Sequence, residues 1–286
     1  MNVGVVQHLR HNTDFESGFA RMHDIGISSC QLISFDRKLF HAPGIAERIL
    51  AAMVRYNITA TAFWCGWEGR NIWDFYEGPI TLGLVPVDTR YERLQMLMEG
   101  SDFAKSLGIQ NLITHAGFLP ENPLDPNYPG VLNACKAIAE YCVSNGQRFL
   151  FETGQETPLT LKRVIQDIEK VTGTGTVGVN LDPANLIIYG KGNPVDAIDV
   201  LGTHIMGVHG KDAIYSSDGY CKGKEVPLGQ GKANFPILIR RLLEAGYCGD
   251  ITIEREISGE QKLRDIIAGK AYLEMLIAES GAQKCE

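Results

Sequence analysis

Short apolar segments alternate with longer amphipathic segments along the whole chain. The short segments are four to seven residues long and rich in Val, Ile, Leu or Phe, as expected for strands of a parallel sheet that is covered on both faces. Eight segments are predicted as strands on this basis: 3–6, 28–33, 58–64, 111–115, 148–152, 177–182, 205–209 and 250–254.

The longer segments carry apolar residues at helical spacing and stop at glycines. Residues 90–107 place Leu94, Leu97 and Met98 on one stripe and are followed by Gly108, which is typical of a helix end. Repetition of helix, glycine turn and strand indicates a parallel sheet with right-handed crossovers. Three further segments are predicted as helices: 129–145, 234–245 and 260–277.

Eight strand–helix units in 286 residues average roughly 36 residues each, within the range of a (β/α)8 barrel. An open doubly wound sheet is the alternative, but no GxGxxG motif follows the first predicted strand. We therefore predict one α/β domain, residues 1–286, folded as a (β/α)8 TIM barrel. The long connections 65–89 and 210–233 would lie on the face where such barrels carry their chemistry.

Composition and charge exclude several classes of protein. The chain is 44% hydrophobic and 21% charged, and its formal net charge is -7. An acidic surface repels nucleic acid phosphates and anionic lipid, and no apolar run approaches the roughly 20 residues that span a bilayer. We therefore expect no nucleic acid and no membrane as a main partner.

The cysteines and the N-terminus indicate a cytoplasmic protein. Seven cysteines, an odd number, show no CxxC pair, so a disulfide framework is not expected and each thiol is predicted to be buried and unreactive. The first residues, MNVGVVQHLR, read as a strand and lack the basic and apolar regions of a secretion signal.

Polar residues end the last four predicted strands. A carboxylate beside apolar neighbours is costly unless it is paired or bound to a metal, and neighbouring strand ends in a barrel lie about 5 Å apart. Three carboxylates and an imidazole suit one divalent cation, with Mn²⁺ as the preferred candidate and Mg²⁺, Co²⁺ and Zn²⁺ as alternatives. A structural ion-pair cluster around Lys211 and Arg255 is the other interpretation. The four strand-end residues are Glu152, Asp182, His209 and Glu254.

The order of these four residues, with His209 in VHGKD and Glu254 in TIERE, resembles the xylose isomerase-like sugar isomerase/epimerase superfamily. Within it the chain is most similar to the ketose 3-epimerase branch, which includes tagatose 3-epimerase and the pentulose-5-phosphate 3-epimerases. The resemblance implies a TIM barrel and a divalent metal held by the four residues. It also implies a sugar or sugar phosphate substrate and a homo-oligomer, either a dimer or a tetramer.

The resemblance further implies that Glu152 and Glu254 double as the catalytic acid/base pair. Epimerisation beside a carbonyl removes a weakly acidic proton and returns it on the opposite face. A metal on the substrate oxygens stabilises the enediolate, while one carboxylate removes a proton and the other supplies one. Asp182 and His209 are then expected mainly to hold the ion.

Other residues near these strand ends are candidates for substrate contact. His115 closes the fourth predicted strand, and Glu156 follows Glu152 where the family places a substrate-contacting carboxylate. Trp67, in AFWCGWEG, could form an apolar wall together with Phe63 and Trp64. Asp212, in the HxKD pattern, is expected to orient the metal ligands. The candidates for substrate contact are His115, Glu156, Asn185, Lys211 and Trp67.

Two positions depart from the family pattern and leave the reaction outcome open. Asn185 stands where the ketose 3-epimerases commonly have a histidine, and the arginine that follows the seventh-strand histidine is missing near Tyr215. An enediolate can also expel a β-substituent, so a dehydratase or lyase acting on a keto-sugar or inositol derivative is the main alternative. Whether Lys222 and Lys224 bind a substrate phosphate also stays open.

Two alternatives come from other classes of protein. A DNA-repair enzyme related to endonuclease IV would need more His, Asp and Glu ligands, for three zinc ions, and a basic stripe. A non-catalytic scaffold would have no reason to keep four converging ligands, so metal content distinguishes it from an enzyme.

Overall fold

The computed structural model describes residues 1–281 and contains a closed barrel of parallel strands. The barrel order is β1-β10-β7-β6-β5-β4-β3-β2, and β8 and β9 form a separate antiparallel hairpin. The strands are β1 (Val3–His8), β2 (Ser29–Ser34), β3 (Thr59–Cys65), β4 (Asn111–Thr114), β5 (Arg148–Glu152), β6 (Val177–Leu181), β7 (Ile205–Gly210), β8 (Asp212–Ile214), β9 (Lys224–Val226) and β10 (Ile251–Ile253).

Helices surround the barrel, and the predicted (β/α)8 fold is confirmed. Each predicted strand matches a barrel strand with bounds within two residues, because the apolar runs and glycine turns mark both ends. The hairpin of β8 and β9 was not predicted, since its strands have only three residues each. The helices are α1 (Glu16–Asp24), α2 (Arg37–Phe40), α3 (Ile45–Tyr56), α4 (Gly78–Thr81), α5 (Arg90–Ser106), α6 (Tyr128–Ser144), α7 (Pro158–Thr172), α8 (Pro183–Ile188), α9 (Pro194–Leu201), α10 (Phe235–Glu244) and α11 (Glu260–Glu279).

The apolar core has an outer layer between strands and helices and a smaller inner cluster. In the outer layer Phe63 of β3 packs against Phe40 and Phe103, with ring centroids 5.8 and 5.5 Å away. Trp64, the next residue, belongs to the inner cluster because successive strand residues point to opposite faces. Phe63 therefore does not form a wall of the barrel mouth, contrary to the interpretation of the AFWCGWEG motif.

The two long connections are anchored by buried side chains. The guanidinium of Arg93, on α5, donates to the backbone carbonyls of Gly83, Thr81 and Arg70 and thereby fastens the segment after β3. The carboxylate of Asp212 accepts from four backbone N–H groups of the segment after β7, those of Ala213, Gly229, Gly231 and Ala233. Both connections are thus held over the carboxyl end of the barrel.

The exposure of the cysteines departs from expectation. Cys30, Cys65, Cys135 and Cys142 are buried, whereas Cys221 and Cys248 are exposed, and Cys285 lies outside the described residues. The two exposed positions fall in loops, where burial cannot be predicted from local sequence. Within residues 1–281, no helix combines the length and the hydropathy needed to cross a bilayer.

Candidate metal centre

The four predicted ligands lie together at the carboxyl end of the barrel. Glu152 is the last residue of β5, Asp182 follows β6, His209 lies in β7 and Glu254 follows β10. These strands are consecutive around the ring, in the order β10-β7-β6-β5. Sequence positions that are more than 100 residues apart are therefore neighbours in space, because the barrel closes.

His209 Nδ1 lies at the centre of this group. It is 3.4 Å from Glu152 Oε1, 3.4 Å from Asp182 Oδ2 and 3.4 Å from Glu254 Oε2. One ligand atom from each residue lies within 4.8 Å of the other three. Ligands about 2.1 Å from a shared divalent ion are about 3 to 4 Å apart, so this cluster could hold one metal ion.

The electrostatics of the cluster favour a cation. Burial raises the pKa of Asp182. Burial also opposes ionisation of Glu152 and Glu254, yet nearby positive groups outweigh it and hold the pKa of both carboxyls below the usual range. Burial lowers the pKa of His209, but Glu152 and Glu254 more than compensate and raise it well above its usual value. The carboxylates thus draw positive charge to the place where a metal ion would lie.

Lys211 supplies the nearest fixed positive charge. Its buried Nζ lies 2.7 Å from Glu254 Oε2, 2.8 Å from Glu256 Oε1 and 3.5 Å from Asp182 Oδ2. A structural ion pair therefore forms part of the cluster, as the alternative interpretation proposed. One ammonium does not balance three carboxylates. The remaining positive charge comes either from the imidazoles of His209 and His115, whose pKa values are raised, or from a metal ion, which the donor set fits.

Arg255 has no part in this cluster, contrary to the alternative interpretation. Its guanidinium lies 2.8 Å from Glu225 and 2.7 Å from Asp265. This pairing holds the chain after β10 against β9 and α11. The side chain of Arg255 therefore points away from the ligands even though it follows Glu254 directly.

Three side chains hold Glu152 in place. The indole Nε1 of Trp64 donates to Glu152 Oε2, and Asn185 Nδ2 donates to Glu152 Oε1 over 3.1 Å. His115 Nε2 lies 3.5 Å from the same Oε1. Burial lowers the pKa of His115, but the charge of Glu152 outweighs it and raises that pKa.

The two carboxylate oxygens of Asp182 have different partners. Its Oδ1 accepts from the backbone N–H of Asn185 over 2.9 Å and so caps α8. Its Oδ2 faces His209 and Lys211. The helix cap therefore fixes which oxygen faces the centre.

A cavity of about 660 Å³ opens above the cluster. Its walls include apolar and aromatic side chains from several elements as well as charged groups near the rim. A volume of this size accommodates a small polar molecule. The lining residues most relevant here are Trp64, Trp73, His115, Glu152, Asn185, Tyr189, Lys222 and Glu254.

The remaining predicted residues are placed at different depths. Trp67 is 2% exposed and is not among the side chains that line the cavity. It packs behind the cavity against Trp64 and Trp73, and the guanidinium of Arg93 lies 5.1 Å from its ring centroid. Asp212 fastens the loop after β7, as described above, and its influence on the metal ligands stays a prediction.

Glu156 is buried beside this site. Only 3% of its surface is exposed, and its Oε1 has no hydrogen-bond partner among residues 1–281. Burial raises its pKa to about 7, against the opposing charge of His115. Such a group is neutral below that pH and can donate a hydrogen bond.

Sequence reasoning missed several residues of the site. Trp73 and Tyr189 line the cavity from the segment after β3 and the end of α8, and no sequence signal marks them. Lys222, which the sequence left open as a candidate for phosphate contact, does line the cavity, with Nζ 5.7 Å from the ring centroid of Tyr189. Gln31 contacts His209 from β2. A lone amide in the fully buried strand SCQLIS is the signal that could have identified it.

Sequence comparison relates this chain to known proteins. Residues 19–274 match the profile of the xylose isomerase-like TIM barrel family. The uncharacterized protein MJ1311 of Methanocaldococcus jannaschii is 26% identical over 206 residues, which are 67% of this chain and 65% of that relative's length.

Solved structures share the whole fold. A xylose isomerase domain protein from Planctomyces limnophilus has a TM-score of 0.86 at 26% identity over 98% of both chains. A D-tagatose 3-epimerase-like protein has a TM-score of 0.70 at 19% identity over 98% of both chains. The probable 3-DHS dehydratase AsbF from Bacillus anthracis has a TM-score of 0.68 at 16% identity over 96% of this chain and 99% of that one. The last two similarities show the fold alone.

Proposed function

This chain belongs to the xylose isomerase-like TIM barrel family, and we propose that it is a metal-dependent epimerase or isomerase of a sugar or sugar phosphate. The observation that carries the proposal is the convergence of Glu152, Asp182, His209 and Glu254 at the base of a cavity. These four residues would hold one divalent ion, with Mn²⁺ as the preferred candidate. When bound, such an ion polarises a substrate carbonyl and makes the neighbouring C–H more acidic.

Glu254 is suited to remove a proton. It lines the cavity, and 11% of its side chain stays exposed. Lys211 lies against its Oε2 and helps hold the carboxylate in its ionised form. An ionised carboxylate at the cavity surface can accept a proton from a bound sugar.

Glu152 is suited to return a proton from the other side of the substrate. Trp64 and Asn185 fix its orientation, and His115 lies next to it with a raised pKa. We assign His115, whose Nε2 lies 3.5 Å from Glu152 Oε1, as the group that exchanges protons with Glu152. The pair of glutamates then exchanges protons on two faces of one carbon, which is what epimerisation requires.

Buried polar atoms beside the cluster support a polyhydroxylated substrate. Among residues 1–281, His115 Nδ1 and Glu156 Oε1 have no hydrogen-bond partner. Unpaired buried polar groups are costly, and substrate hydroxyls would pair with them. We propose that His115 and Glu156 contact substrate hydroxyls, and that Trp67 supports the aromatic wall from behind the cavity. We further propose that Asn185 and Lys211 contact the substrate where it meets Glu152 and Glu254.

A dehydratase or lyase is the second candidate, and a specific observation favours it. Asn185 occupies a family substrate-contact position but donates its amide to Glu152 Oε1. An amide in place of the family's histidine changes how the deprotonated substrate is held, and expulsion of a β-substituent can then compete with reprotonation. The fold similarity to a probable 3-DHS dehydratase is compatible with this outcome.

The test combines metal analysis with a substrate panel. We expect about one divalent ion per chain after loading with Mn²⁺, and loss of activity after chelation. A panel of ketoses and keto-sugars incubated in D₂O distinguishes the two candidates. An epimerase incorporates deuterium into a product whose mass is otherwise that of the substrate. A dehydratase forms a product that is lighter than the substrate by the mass of one water molecule.

Variants identify the catalytic pair. Glu152→Gln and Glu254→Gln should each lower turnover by at least about 100-fold, the usual scale for loss of an acid or base. Glu169→Gln is the matched control, because Glu169 also faces a histidine, His204, over 3.4 Å but far from the cluster. An active Glu152→Gln enzyme, or full activity after chelation, would refute the proposal.

A further inference from the structure

We propose that Gln31 and Asn180, two amides inside the barrel, position His209 and select the imidazole tautomer that can bind a cation. The proposal rests on the proposed metal site and adds positioning residues to it. Neither amide touches the carboxylates of the cluster through any hydrogen bond described for residues 1–281.

The three side chains form a chain of hydrogen bonds across the barrel. His209 Nε2 lies 2.8 Å from Gln31 Oε1, and Gln31 Nε2 donates to Asn180 Oδ1 over 3.0 Å. All three residues are at most 2% exposed. The chain connects β7, β2 and β6, so it spans the inside of the barrel below the metal ligands.

This geometry favours one tautomer of the imidazole. Gln31 uses its N–H to reach Asn180 and therefore presents its oxygen to His209. An oxygen can only accept, so in the neutral imidazole of His209 the proton lies on Nε2 and the lone pair on Nδ1. Nδ1 is the atom that lies 3.4 Å from each of the three carboxylates, so the lone pair points at the proposed ion.

The strand pairing is irregular next to both amides. The barrel ladders described for residues 1–281 shift register between Cys30 and Gln31 and between Val179 and Asn180. Such irregularities re-aim side chains and are frequent next to active sites. Gly207 pairs with Asn180, and a Cβ there would lie 2.3 Å from Asn180 Oδ1. A glycine at this position gives the amide its space.

Stability alone does not explain the two amides. Asn180 Nδ2 is buried and has no hydrogen-bond partner among residues 1–281, which costs about 1 to 3 kcal/mol. The interior of a TIM barrel is normally filled by branched apolar residues. Metal-binding histidines commonly use their second nitrogen to bond a positioning group, and Gln31 stands where such a group is needed.

The experiment measures Mn²⁺ affinity by calorimetry for wild type, Gln31→Met and Gln147→Met. Gln147 is the matched control, since it is also buried and hydrogen-bonded, to Ser101 and to the carbonyl of Ile109, but lies away from the cluster. We expect Gln31→Met to raise the Kd for Mn²⁺ by about 10- to 100-fold. Gln147→Met should lower the melting temperature and leave the Kd unchanged.

Two further variants keep the proposal testable if Gln31→Met does not fold. Gln31→Glu retains an acceptor for His209 Nε2–H, so its Kd should stay within about threefold of wild type. Asn180→Leu removes the partner of the Gln31 amide and should raise the Kd about 10-fold. Wild-type affinity in both Gln31→Met and Asn180→Leu would overturn the inference, as would loss of binding in folded Gln31→Glu. Failure of wild type to bind Mn²⁺ would instead refute the proposed function.

Discussion

The buried carboxyl of Glu156 should make the folding stability of this protein depend on pH. Its carboxyl is 3% exposed, and burial raises its pKa from the ordinary 4.5 to about 7. The backbone N–H groups of Gly154 and Glu156 and the charge of His115 oppose this effect without cancelling it. Ionised Glu156 therefore destabilises the fold.

The sign and magnitude follow from proton linkage. Between pH 4.5 and about 7 the folded state holds the Glu156 proton more tightly than the unfolded state, so folding stability falls as pH rises through this window. The full difference of about 2.5 pKa units corresponds to about 3 kcal/mol. Glu156→Gln removes the ionisation and keeps the shape. We expect the variant and wild type to have the same unfolding free energy near pH 4. Near pH 8 the unfolding free energy of the variant should be about 3 kcal/mol higher than that of wild type.

The assay is urea unfolding in the presence of a chelator across this pH range. Glu140→Gln, at an exposed position of α6, is the control and should leave the pH profile unchanged. The same Glu156→Gln variant should raise KM for the substrate, since the carboxyl would contact a hydroxyl. Equal stability of Glu156→Gln and wild type at high pH would refute the reasoning.

Three further predictions concern the metal and two anchoring interactions. Mn²⁺ at about 100 times its Kd should stabilise wild type by about 2.7 kcal/mol, and Asp182→Asn should abolish this shift; an unchanged shift would exclude Asp182 as a ligand. Arg93→Met removes three hydrogen bonds to loop carbonyls and should lower the unfolding free energy by about 3 kcal/mol. The variant should also expose residues 66–89 to proteases, and retained protease resistance would contradict this prediction. The hydrogen bond from Arg37 lowers the pKa of Glu99 to about 2. The pair of Arg37 and Glu99 therefore stabilises the folded state above pH 4.5, and this contribution is lost as the pH falls towards 2. Glu99→Gln should cost about 1 kcal/mol near neutral pH, since the pair is partly exposed, and almost nothing in strong acid; the same cost at both pH values would contradict it.

The ligand positions could be predicted because strand ends are marked locally. Glu152, Asp182, His209 and Glu254 each end or follow a short apolar run, and the barrel brings the carboxyl ends of all its strands to one face. Their convergence follows once the fold is known to be a closed parallel barrel. The repeat of strand, helix and glycine turn indicates that fold without any tertiary information.

The lining of the cavity could not be predicted in the same way. Phe63 and Trp64 are adjacent in an apolar strand, and only the structure shows that Trp64 contacts Glu152 while Phe63 packs against helices. Buried strands carry apolar residues on both faces, so no alternation of polar and apolar positions reveals which face points inward. Trp73 reaches the cavity from a long loop whose path depends on Arg93 in α5.

The sequence by itself therefore determined the barrel and the donor set, because both depend on local periodicity and on residue type at strand ends. Tertiary structure decided the partners of those donors. Gln31 meets His209 across 178 residues of chain, and register shifts next to Gln31 and Asn180 aim the two amides at each other. Contacts of this kind depend on the closure and stagger of the whole sheet, which no local pattern of residues encodes.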